Sequence, residues 1–348
     1  MNGEIAAILA MDGIASGAIY VLIGLGLVLI FAVTRVIFVP FGDIAAFTAM
    51  SLASLETGGR PGTVGLVAVL AVLATVVEAT QLVRAGALHR LPRALLFYLV
   101  LPLVPAAAVW FAAGTILSMP LRIGLSIALV LPIAPLLDRI VFRPIADASV
   151  LLLLTVAVAL HFALSGLGLM FFGPEGVRTK PLTDTVFDAA GLIVNAQTLL
   201  IMAASIVFCG LLFLYFEFTI QGKALRATAI NRTGARLVGI RPASTGTIAY
   251  LLASLLAGIS GVLIAPVTTI FYDSGFLIGL KAFVGAIIGA MTSYPVTALG
   301  AVLVGVLESF TSFWLSAYKE ALVFSLLIPV LLWRSLSFAT ADEEEAEE

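Results

Sequence analysis

Residues 221–240 read QGKALRATAINRTGARLVGI, and they separate two apolar runs, LIMAASIVFCGLLFLYFEF at 200–218 and TGTIAYLLASLLAGISGVLIAPV at 245–267. Each run is long enough to cross a bilayer, because a helix needs about 20 apolar residues to span the hydrocarbon. The middle segment has no acidic residue, and its basic residues are Lys223, Arg226, Arg232 and Arg236. A basic segment between two apolar runs is typical of a cytoplasmic loop in a membrane protein.

The composition of the whole chain agrees with this pattern. Of 348 residues, 61% are hydrophobic and only 11% are charged, whereas an ordinary globular chain carries about 25% charge. Long apolar runs, rather than short alternating ones, favour membrane helices over a membrane barrel. The single Cys209 excludes a disulfide framework. The sequence therefore predicts an all-α, polytopic integral membrane helix bundle.

The apolar runs predict about 9 to 11 membrane segments, since a helix must supply about 20 residues to cross. The candidates are 5–35, 42–55, 63–83, 93–117, 119–142, 149–172, 198–219, 245–270, 279–293, 296–315 and 318–334. Segments 42–55 and 279–293 are too short for a full crossing. We expect half-spans or re-entrant segments there, because irregular backbone is tolerated only where protein or a cavity surrounds it.

The distribution of basic residues predicts the orientation in the membrane. Alternating the candidate segments places the basic loop 84–93, the turn after residue 142 and the loop 220–242 on one side, which the positive-inside rule identifies as the cytoplasm. The N-terminus is then outside and the C-terminus cytoplasmic. Three basic residues do not follow the bias and are expected at the outer side: Arg60, Arg122 and Lys281.

Two polar segments lie outside the apolar runs. The outer loop 173–195 is rich in Gly, Pro and Asp, which favours turns and a short amphipathic piece. The last residues, 339–348, form an acidic tail that is predicted to be disordered. The remaining chain, 1–338, has no room for a soluble domain and is read as one membrane domain.

Ionisable residues within apolar segments are candidates for a transport pathway, because such groups are costly in lipid. Asp43 follows the helix-breaking Pro40 and Gly42, so it is either a pathway residue or the N-cap of the short segment 42–55. Glu308 lies within a late segment and either lines the pathway or bonds a neighbouring helix. His161 stands alone in its segment, which favours a packed, hydrogen-bonded side chain.

The sequence lacks the motifs of catalysis and of nucleotide binding. No GxxxxGK[ST] loop, serine-histidine-aspartate set or metal-ligand cluster is visible, so we expect no enzyme activity, no cofactor and no metal. We expect a lipid bilayer around the chain and no nucleic-acid partner. Energy for transport must then come from another subunit or from a gradient.

The basic loop 220–242 also has features of ordered structure. Its first part, KALRATAI, is rich in helix formers, residues 231–234 interrupt the pattern, and a second turn ends near Gly239 and Pro242. Apolar residues lie in this water-exposed segment: Leu225, Ile230, Leu237, Val238 and Ile240. Helices with an apolar face outside the membrane usually dock on another surface, so the loop is predicted to bind a partner.

The sequence resembles the permeases of high-affinity branched-chain amino-acid ABC importers, the LivH type. The resemblance begins with GKALRATAINRTGARLVGI in the loop and recurs in order along the chain. The matching stretches are GIASGAIYVLIGLGLVLIFAVTRVI at 13–37, FGD at 41–43, LDRIVFRPIADASVLLLLTVAVAL at 137–160, LIGLKAFVGAIIGAMTSYP at 277–295, GAVLVGVLESF at 300–310 and YKEALVFSLLIPVLLWR at 318–334.

The resemblance implies a pore-forming subunit of the bacterial inner membrane. Its implied partners are a second permease of the LivH or LivM type, cytoplasmic ATP-binding subunits and a periplasmic solute-binding protein. It also implies that the loop 220–242 is where the ATPases grip the permease. The residues that match the loop pattern, and to which we assign ATPase coupling, are Gly222, Lys223, Arg226, Ala227, Asn231 and Gly239.

Three departures from the family pattern bear on this prediction. Phe41 stands where the family usually has His, and Pro40 replaces a common Ala. GAMTSYP replaces a glycine-rich turn. Residues 60–118 hold two segments that look inserted, and a pair of segments preserves the orientation of everything after it. Branched-chain or other hydrophobic amino acids are the default substrate, and the alternative function is a stand-alone secondary transporter or channel for a small solute.

Overall fold

The computed structural model describes residues 3–183, 185–189 and 192–332, and within them the chain is almost entirely helical. The elements, numbered in chain order, are α1 (Gly3–Thr34), α2 (Phe41–Glu56), α3 (Thr63–Arg84), α4 (Leu88–Ala112), α5 (Met119–Ile145), α6 (Val150–Phe172), β1 (Val186–Ala189), β2 (Leu192–Asn195), α7 (Ala196–Phe218), α8 (Ile220–Ile230), α9 (Arg232–Leu237), α10 (Pro242–Ile264), α11 (Ser274–Ile288), α12 (Tyr294–Trp314) and α13 (Lys319–Ser325). The predicted all-α helix bundle is confirmed. The predicted acidic tail, 339–348, and the end of segment 318–334 lie outside the described residues.

Eight of these helices are long and apolar enough, by length and composition, to cross a membrane. They are α1, α3, α4, α5, α6, α7, α10 and α12. Most of the apolar stretch of α1 is buried inside the bundle, whereas most of the corresponding stretch in α6 and α7 is half-buried or exposed. An exposed apolar helix surface of this extent is expected where lipid is the solvent.

The predicted boundaries hold for most segments and shift in three places. Segment 245–270 is replaced by α10, which begins at Pro242 and already ends at Ile264. Segment 93–117 is replaced by α4, which begins earlier, at Leu88, because Pro92 is compatible with the first turn of a helix. Segment 279–293 is replaced by α11, which begins at Ser274. The Ser274 Oγ accepts a hydrogen bond from the Phe271 backbone N–H at 2.9 Å, which fixes the entry to that helix.

Two helices contain a widened, π-helical turn before a proline. These turns cover 96–100 in α4 and 138–142 in α5, and Pro102 and Pro144 follow each of them by two residues. Proline lacks the N–H that would bond the carbonyl four residues earlier, and its ring clashes with that carbonyl. A widened turn moves the carbonyl away, so both helices continue around the proline instead of ending.

The central helix α1 packs closely against α12. An ideal Cβ built on Gly13 would lie 2.6 Å from the Cα of Val306, and one built on Gly17 would lie 2.6 Å from the Cα of Val302. Glycines four residues apart therefore let the two helix backbones approach each other, as in other membrane helix pairs. On its other sides α1 contacts α7, α10 and α11.

The two short helices, α2 and α11, meet inside the bundle at their N-terminal ends. They contain 16 and 15 residues, so each is about 22–24 Å long and shorter than the roughly 30 Å hydrocarbon core. Gly42 lies directly against the Gly275 carbonyl group, and its Cβ position would be 2.8 Å from the backbone N of Gly279. The backbone of one helix start thus packs on the backbone of the other.

Different elements cover the two ends of the bundle. At one end the antiparallel pair β1–β2 forms a hairpin, and Val177 pairs with Ile270 in a short bridge. This hairpin replaces the short amphipathic piece expected between 173 and 195. At the other end lie α8 and α9, between the last turn of α7 and the first turn of α10. We refer to these as the hairpin end and the α8–α9 end.

Candidate functional site

The predicted partner-binding loop forms a pair of short helices, α8 and α9, with defined start and end signals. The Thr219 Oγ1 accepts a hydrogen bond from the Gly222 N–H at 2.9 Å and caps the start of α8. The Asn231 Oδ1 accepts one from the Gly234 N–H at 2.8 Å and caps α9. Gly239 ends the unit with φ +86°, a left-handed conformation that residues with a side chain adopt at a cost.

Gly222 permits the sharp turn from α7 into α8. Its Cα lies against the last turn of α7, where a Cβ would collide with the Tyr215 carbonyl group and lie 2.7 Å from the Cα of Phe216. Those neighbours are backbone atoms and cannot rotate away. Gly222 therefore fixes the angle between a membrane helix and the loop, as a rigid connection between the two requires.

Arg226 pairs with an acid of the preceding helix. Its guanidinium donates to the Glu217 carboxylate at 2.9 Å, and both side chains are about half exposed. An ion pair at this exposure contributes about 0–1 kcal/mol. The pair therefore orients α8 against the end of α7 more than it stabilises the fold. Lys223 is exposed on the same helix, and Ala227 is half-buried.

The apolar residues of the loop divide into a buried anchor and an exposed patch. Leu225 is 1% exposed and packs on the protein's own core, so it is not available to a partner as its position in a polar loop had suggested. Ile230, Leu237 and Val238 are 75–84% exposed, and we call these three residues the docking patch. Large exposed apolar side chains outside the apolar spans are typical of interaction surfaces.

A cavity of about 740 Å³ lies between the inner face of α8 and the membrane helices. Its lining includes Arg35, Phe216, Arg226 and Tyr294, which come from the end of α1, from α7, from α8 and from the start of α12. The loop is thus not packed solidly onto the bundle. The helix α8 therefore contacts the bundle through buried residues such as Leu225 and leaves open space beside them.

Asp43 and His161 form a buried pair between α2 and α6. The His161 Nδ1 lies 2.8 Å and 3.0 Å from the two carboxylate oxygens of Asp43, and both residues are less than 5% exposed. The His161 ring also stacks on Phe276 of α11, with ring centroids 4.7 Å apart. The alternative interpretation of Asp43 as an N-cap is wrong, because the cap position is Pro40 and has no side-chain cap bond.

Glu308 is held by two other helices. The Tyr20 hydroxyl donates to its Oε2 at 2.7 Å, and the Lys281 Nζ donates to its Oε1 at 2.5 Å. Lys281 is 7% exposed, so its side chain is buried inside the bundle, while its expected position near the outer side stays a prediction. The geometry matches the helix–helix alternative for Glu308, while the assignment of Asp43 and Glu308 to a pathway stays a prediction.

Sequence reasoning missed both pairings, although it had identified three of the four charged or titratable members. A signal was available: Asp43, His161, Lys281 and Glu308 are each the isolated ionisable residue of an apolar stretch. Isolated buried charges usually pair with one another. What the sequence could not give was the choice of partner, because the two pairs join residues 118 and 27 positions apart.

A third polar cluster lies at the α8–α9 end. Arg139 contacts both Glu78 and Gln81, and Arg143 pairs with Asp138 at 3.1 Å. The Arg143 guanidinium also donates to the Ala243 carbonyl oxygen and to the Thr247 Oγ1. These contacts bring the basic turn after residue 142 to the start of α10, which is the same end of the bundle as the basic loop.

A protein-family model described as "Branched-chain amino acid transport system / permease component" matches residues 9–331. The LivH permease of the high-affinity branched-chain amino acid transport system from Salmonella typhimurium is 27% identical over 203 residues, which cover 56% of this chain and 66% of LivH. The corresponding permease protein BraD from Pseudomonas aeruginosa is 26% identical over 216 residues, or 60% of this chain and 70% of BraD.

The alignment thus spans just under two thirds of the LivH relative's length. A more distant relative, a probable branched-chain amino acid permease LivH from Methanocaldococcus jannaschii, is 29% identical over 106 residues. No solved structure matches the chain. The similarity to known proteins is therefore a similarity of sequence. The match to the family model covers nearly all of the described residues.

Proposed function

Because this chain belongs to the family of permease components of branched-chain amino acid transport systems, we propose that it is the membrane-spanning subunit of an ATP-driven importer. Its proposed partners are a second permease, identical or different, a pair of cytoplasmic ATP-binding subunits and a periplasmic solute-binding protein. In this proposal the chain lies in the bacterial inner membrane with its N-terminus outside and its C-terminus in the cytoplasm. Transport, rather than catalysis, is its role.

The single observation that carries the ATPase partnership is the α8–α9 unit. It is an ordered, capped pair of helices outside the apolar spans, and it presents the docking patch of Ile230, Leu237 and Val238. The turn at Gly222 connects it to α7. A partner that pushes on α8 would therefore tilt α7 and α10, which is a rigid-body route from ATP binding to pore opening.

The coupling residues then have distinct parts in the proposal. Gly222 sets the angle of the turn, Asn231 and Gly239 define the limits of α9, and Arg226 orients α8 through Glu217. Lys223 and Ala227 lie on α8, where an ATPase surface would contact them. The basic residues of the unit favour an acidic groove on that partner.

Branched-chain or other hydrophobic amino acids are the proposed substrates. The names of the LivH and BraD relatives support this class. Phe41, in the first turn of α2, is fully buried and packs against Gly26 of α1. In this position the apolar ring of Phe41, rather than the polar ring of the usual His, would face the interior region that contains Asp43.

The first test is copurification from the native membrane in mild detergent, followed by mass spectrometry of the bound proteins. We expect an ATP-binding subunit and a second permease in stoichiometric amounts. Addition of the solute-binding protein with leucine should then stimulate ATP hydrolysis. A chain that emerges alone under several gentle conditions would contradict the importer proposal.

A charge exchange tests how Arg226 acts. Arg226→Glu places two acids face to face at the end of α7, and we expect substrate-stimulated ATP hydrolysis to fall severalfold. The exchange Arg226→Glu with Glu217→Arg restores the internal pair and should recover most of the activity. Gln221→Glu is the matched control, since it adds an acid to the same helix without removing a base. An inactive double variant would indicate that Arg226 binds the ATPase directly.

The buried pairs Asp43–His161 and Lys281–Glu308 are the observation that favours the alternative, a stand-alone secondary transporter. Such a carrier needs ionisable groups that exchange a proton or an ion during transport. Uptake into vesicles distinguishes the two functions. An importer requires internal ATP and persists when an ionophore collapses the ion gradients, whereas the carrier loses uptake under the ionophore and does not respond to ATP.

A further inference from the structure

The structure contains a second large cavity, lined by no residue of α8, that the proposed function does not use. Its volume is about 970 Å³, and it lies between α3, α4, α5 and α10. Most of its lining is apolar, and Phe97, Leu101 and Val104 of α4 are half or more exposed within it. It is therefore a groove that opens on the surface of the membrane helices and not a closed internal void.

Prolines and small residues give this groove its depth. Pro102 and Pro105 of α4 face Pro132 and Pro135 of α5 across it, with Ala108 and Ala128 beside them. Small side chains occupy little of the space between the two helices, so the groove is deeper here than it would be with leucine-sized residues on both walls. The lining residues of α4 extend from Arg90 to Ala108, about 27 Å along the helix axis.

The groove is basic at its α8–α9 end. Arg90 and Arg93 line it there, and both side chains are exposed. Neither has an ion-pair partner among residues 3–183, 185–189 and 192–332, although the Arg93 guanidinium lies 5.6 Å from the centre of the Phe97 ring. The one acid in the lining, Glu78, already pairs with Arg139.

Hydroxyl groups complete the polar end. Ser244 and Thr247, in the first turns of α10, line the groove near Arg90 and Arg93, and the Tyr98 hydroxyl lies on the opposite wall. The Ser244 and Thr247 hydroxyls already donate to the carbonyl oxygens of Arg241 and Ala243, so Arg90 and Arg93 are the groups that match a phosphate diester, which accepts several hydrogen bonds and carries one negative charge. The apolar remainder of the groove matches a hydrocarbon chain.

We propose that this groove binds an anionic phospholipid, with its phosphate at Arg90 and Arg93 and one acyl chain along α4 and α5. Charge complementarity favours this occupant over a second protein: an apolar membrane helix in the groove would bury the two guanidinium groups with no counter-charge, which is costly. Basic pockets between membrane helices at the cytoplasmic side bind anionic headgroups in other proteins. An acyl chain needs only one leaflet, about half of the 30 Å hydrocarbon core, and the groove is longer than that.

The inference gives the segment 60–118 a role. Both cations and one wall of the groove belong to α4, which lies in the segment that the sequence marks as an insertion. The site is independent of the ATPase partnership, because none of its residues belongs to α8 or α9. Failure of the lipid proposal would therefore leave the importer proposal intact.

The test measures lipid that remains bound to the purified chain. The protein is reconstituted in nanodiscs that contain equal amounts of phosphatidylglycerol and phosphatidylcholine, extracted in mild detergent, and analysed by native mass spectrometry. We expect about one phosphatidylglycerol per chain in the wild type. Arg90→Gln with Arg93→Gln should lower its retention about thirtyfold, since each base near an anionic headgroup contributes about 1 kcal/mol, or about fivefold.

Two further variants make the result specific. Arg84→Gln with Arg241→Gln removes the same charge at the same end of the bundle from exposed residues outside the groove, and it should retain the lipid. Ala108→Trp keeps both arginines but fills the exposed acyl part of the groove, and it should release the lipid. Equal retention of both lipids by the wild type, or undiminished retention in the Arg90 and Arg93 variant, would overturn the proposal.

A cysteine substituted at Leu101 tests whether a partner protein covers the groove. In the Cys209→Ala background, Leu101→Cys should react with a bilayer-soluble maleimide in the assembled complex, because lipid exchanges out of the groove. Complete protection in the complex, together with labelling of the isolated chain, would show that a partner permease covers the groove and would also refute the lipid assignment.

Discussion

Single residues set the geometry of the α8–α9 unit and of the buried contact between α2 and α6. Gly222 lies where the chain turns from α7 into α8, against the Tyr215 carbonyl group, and the left-handed Gly239 closes the unit. Asp43 and His161 satisfy each other inside the bundle. In each case the residue type follows from a contact that no other side chain could make without displacing backbone or leaving a buried group unpaired.

Replacing Gly222 with alanine tests the turn. The added Cβ meets backbone atoms of Tyr215 and Phe216, so α8 must shift, at an overpacking cost of about 1–3 kcal/mol. We expect ATP hydrolysis to lose its response to substrate while the membrane helices stay folded. Gly210→Ala on α7 is the control, because a Cβ there meets no atom within 4 Å. Equal coupling in the two variants would show that the turn does not transmit force.

The Asp43–His161 pair calls for a double-mutant cycle, read as the free energy of unfolding in detergent. Asp43→Ala or His161→Ala leaves a buried polar partner unsatisfied, and each should cost about 3–5 kcal/mol. The double variant should cost clearly less than the sum of the single ones, because neither partner remains unpaired. Glu4→Ala on the exposed start of α1 should have little effect. Additive costs would mean that the two side chains act independently.

At the scale of the helices, polar contacts join neighbouring elements within the apolar bundle. Lys281 of α11, Glu308 of α12 and Tyr20 of α1 meet in one buried cluster. Apolar side chains provide little specificity between helices in lipid, since the tails are as apolar as the side chains. The cluster therefore fixes the register of the short helix α11 against its two long neighbours.

Substitutions at Glu308 and Lys281 separate the effect of the ion pair on stability from the effect of burying a charge without a partner. Glu308→Gln leaves the buried ammonium group of Lys281 without its counter-charge, and we expect a loss of about 3–5 kcal/mol in the free energy of unfolding. Lys281→Met with Glu308→Leu removes both charges and should recover most of that stability. Transport by the double variant is the decisive readout: full activity would exclude Glu308 from the substrate pathway, whereas a stable but inactive protein would support a pathway role.

Helical elements were predictable from the sequence, whereas contacts between them were not. Hydropathy located the long spans to within a few residues, because burial in lipid demands an uninterrupted apolar helix whatever it packs against. The β1–β2 hairpin was missed, since 4-residue strands in a polar loop have no comparable signal. The partners of Asp43 and Glu308 depend on how helices distant in sequence are arranged, and local patterns contain no information on that arrangement.

At the scale of the whole molecule, basic residues gather at one end. Arg143 contacts the start of α10, Arg90 and Arg93 line a groove with Ser244, and Arg35 faces Arg226 across the smaller cavity. Arg60, predicted at the outer side, lies near the opposite, hairpin end, where its guanidinium is 4.1 Å from the centre of the Trp110 ring. A bundle with this asymmetry has one electrostatically preferred orientation in a membrane.

Cysteine labelling in intact cells tests that orientation. Cys209 is the chain's single cysteine, so Cys209→Ala provides a background without thiols. Lys180→Cys, exposed at the hairpin end, should react with a membrane-impermeant maleimide, and Thr233→Cys, exposed on α9, should react only after permeabilisation. The reverse pattern would contradict both the N-terminus-outside topology and the cytoplasmic position of α8 and α9.

The meeting of α2 and α11 has a consequence for how the protein is made. Gly42 packs on Gly275 and Gly279. The helix α2 therefore lacks this contact until the ribosome has synthesised the start of α11, more than 200 residues later. At 5–20 residues per second this interval is about 10–50 s. During that time α2, with the carboxylate of Asp43 and too short to cross alone, has no native neighbour on that face. We therefore expect the early segments to be held by the insertion machinery until the late ones arrive, and we expect truncation after α10 to leave α2 as a segment that membrane quality control recognises.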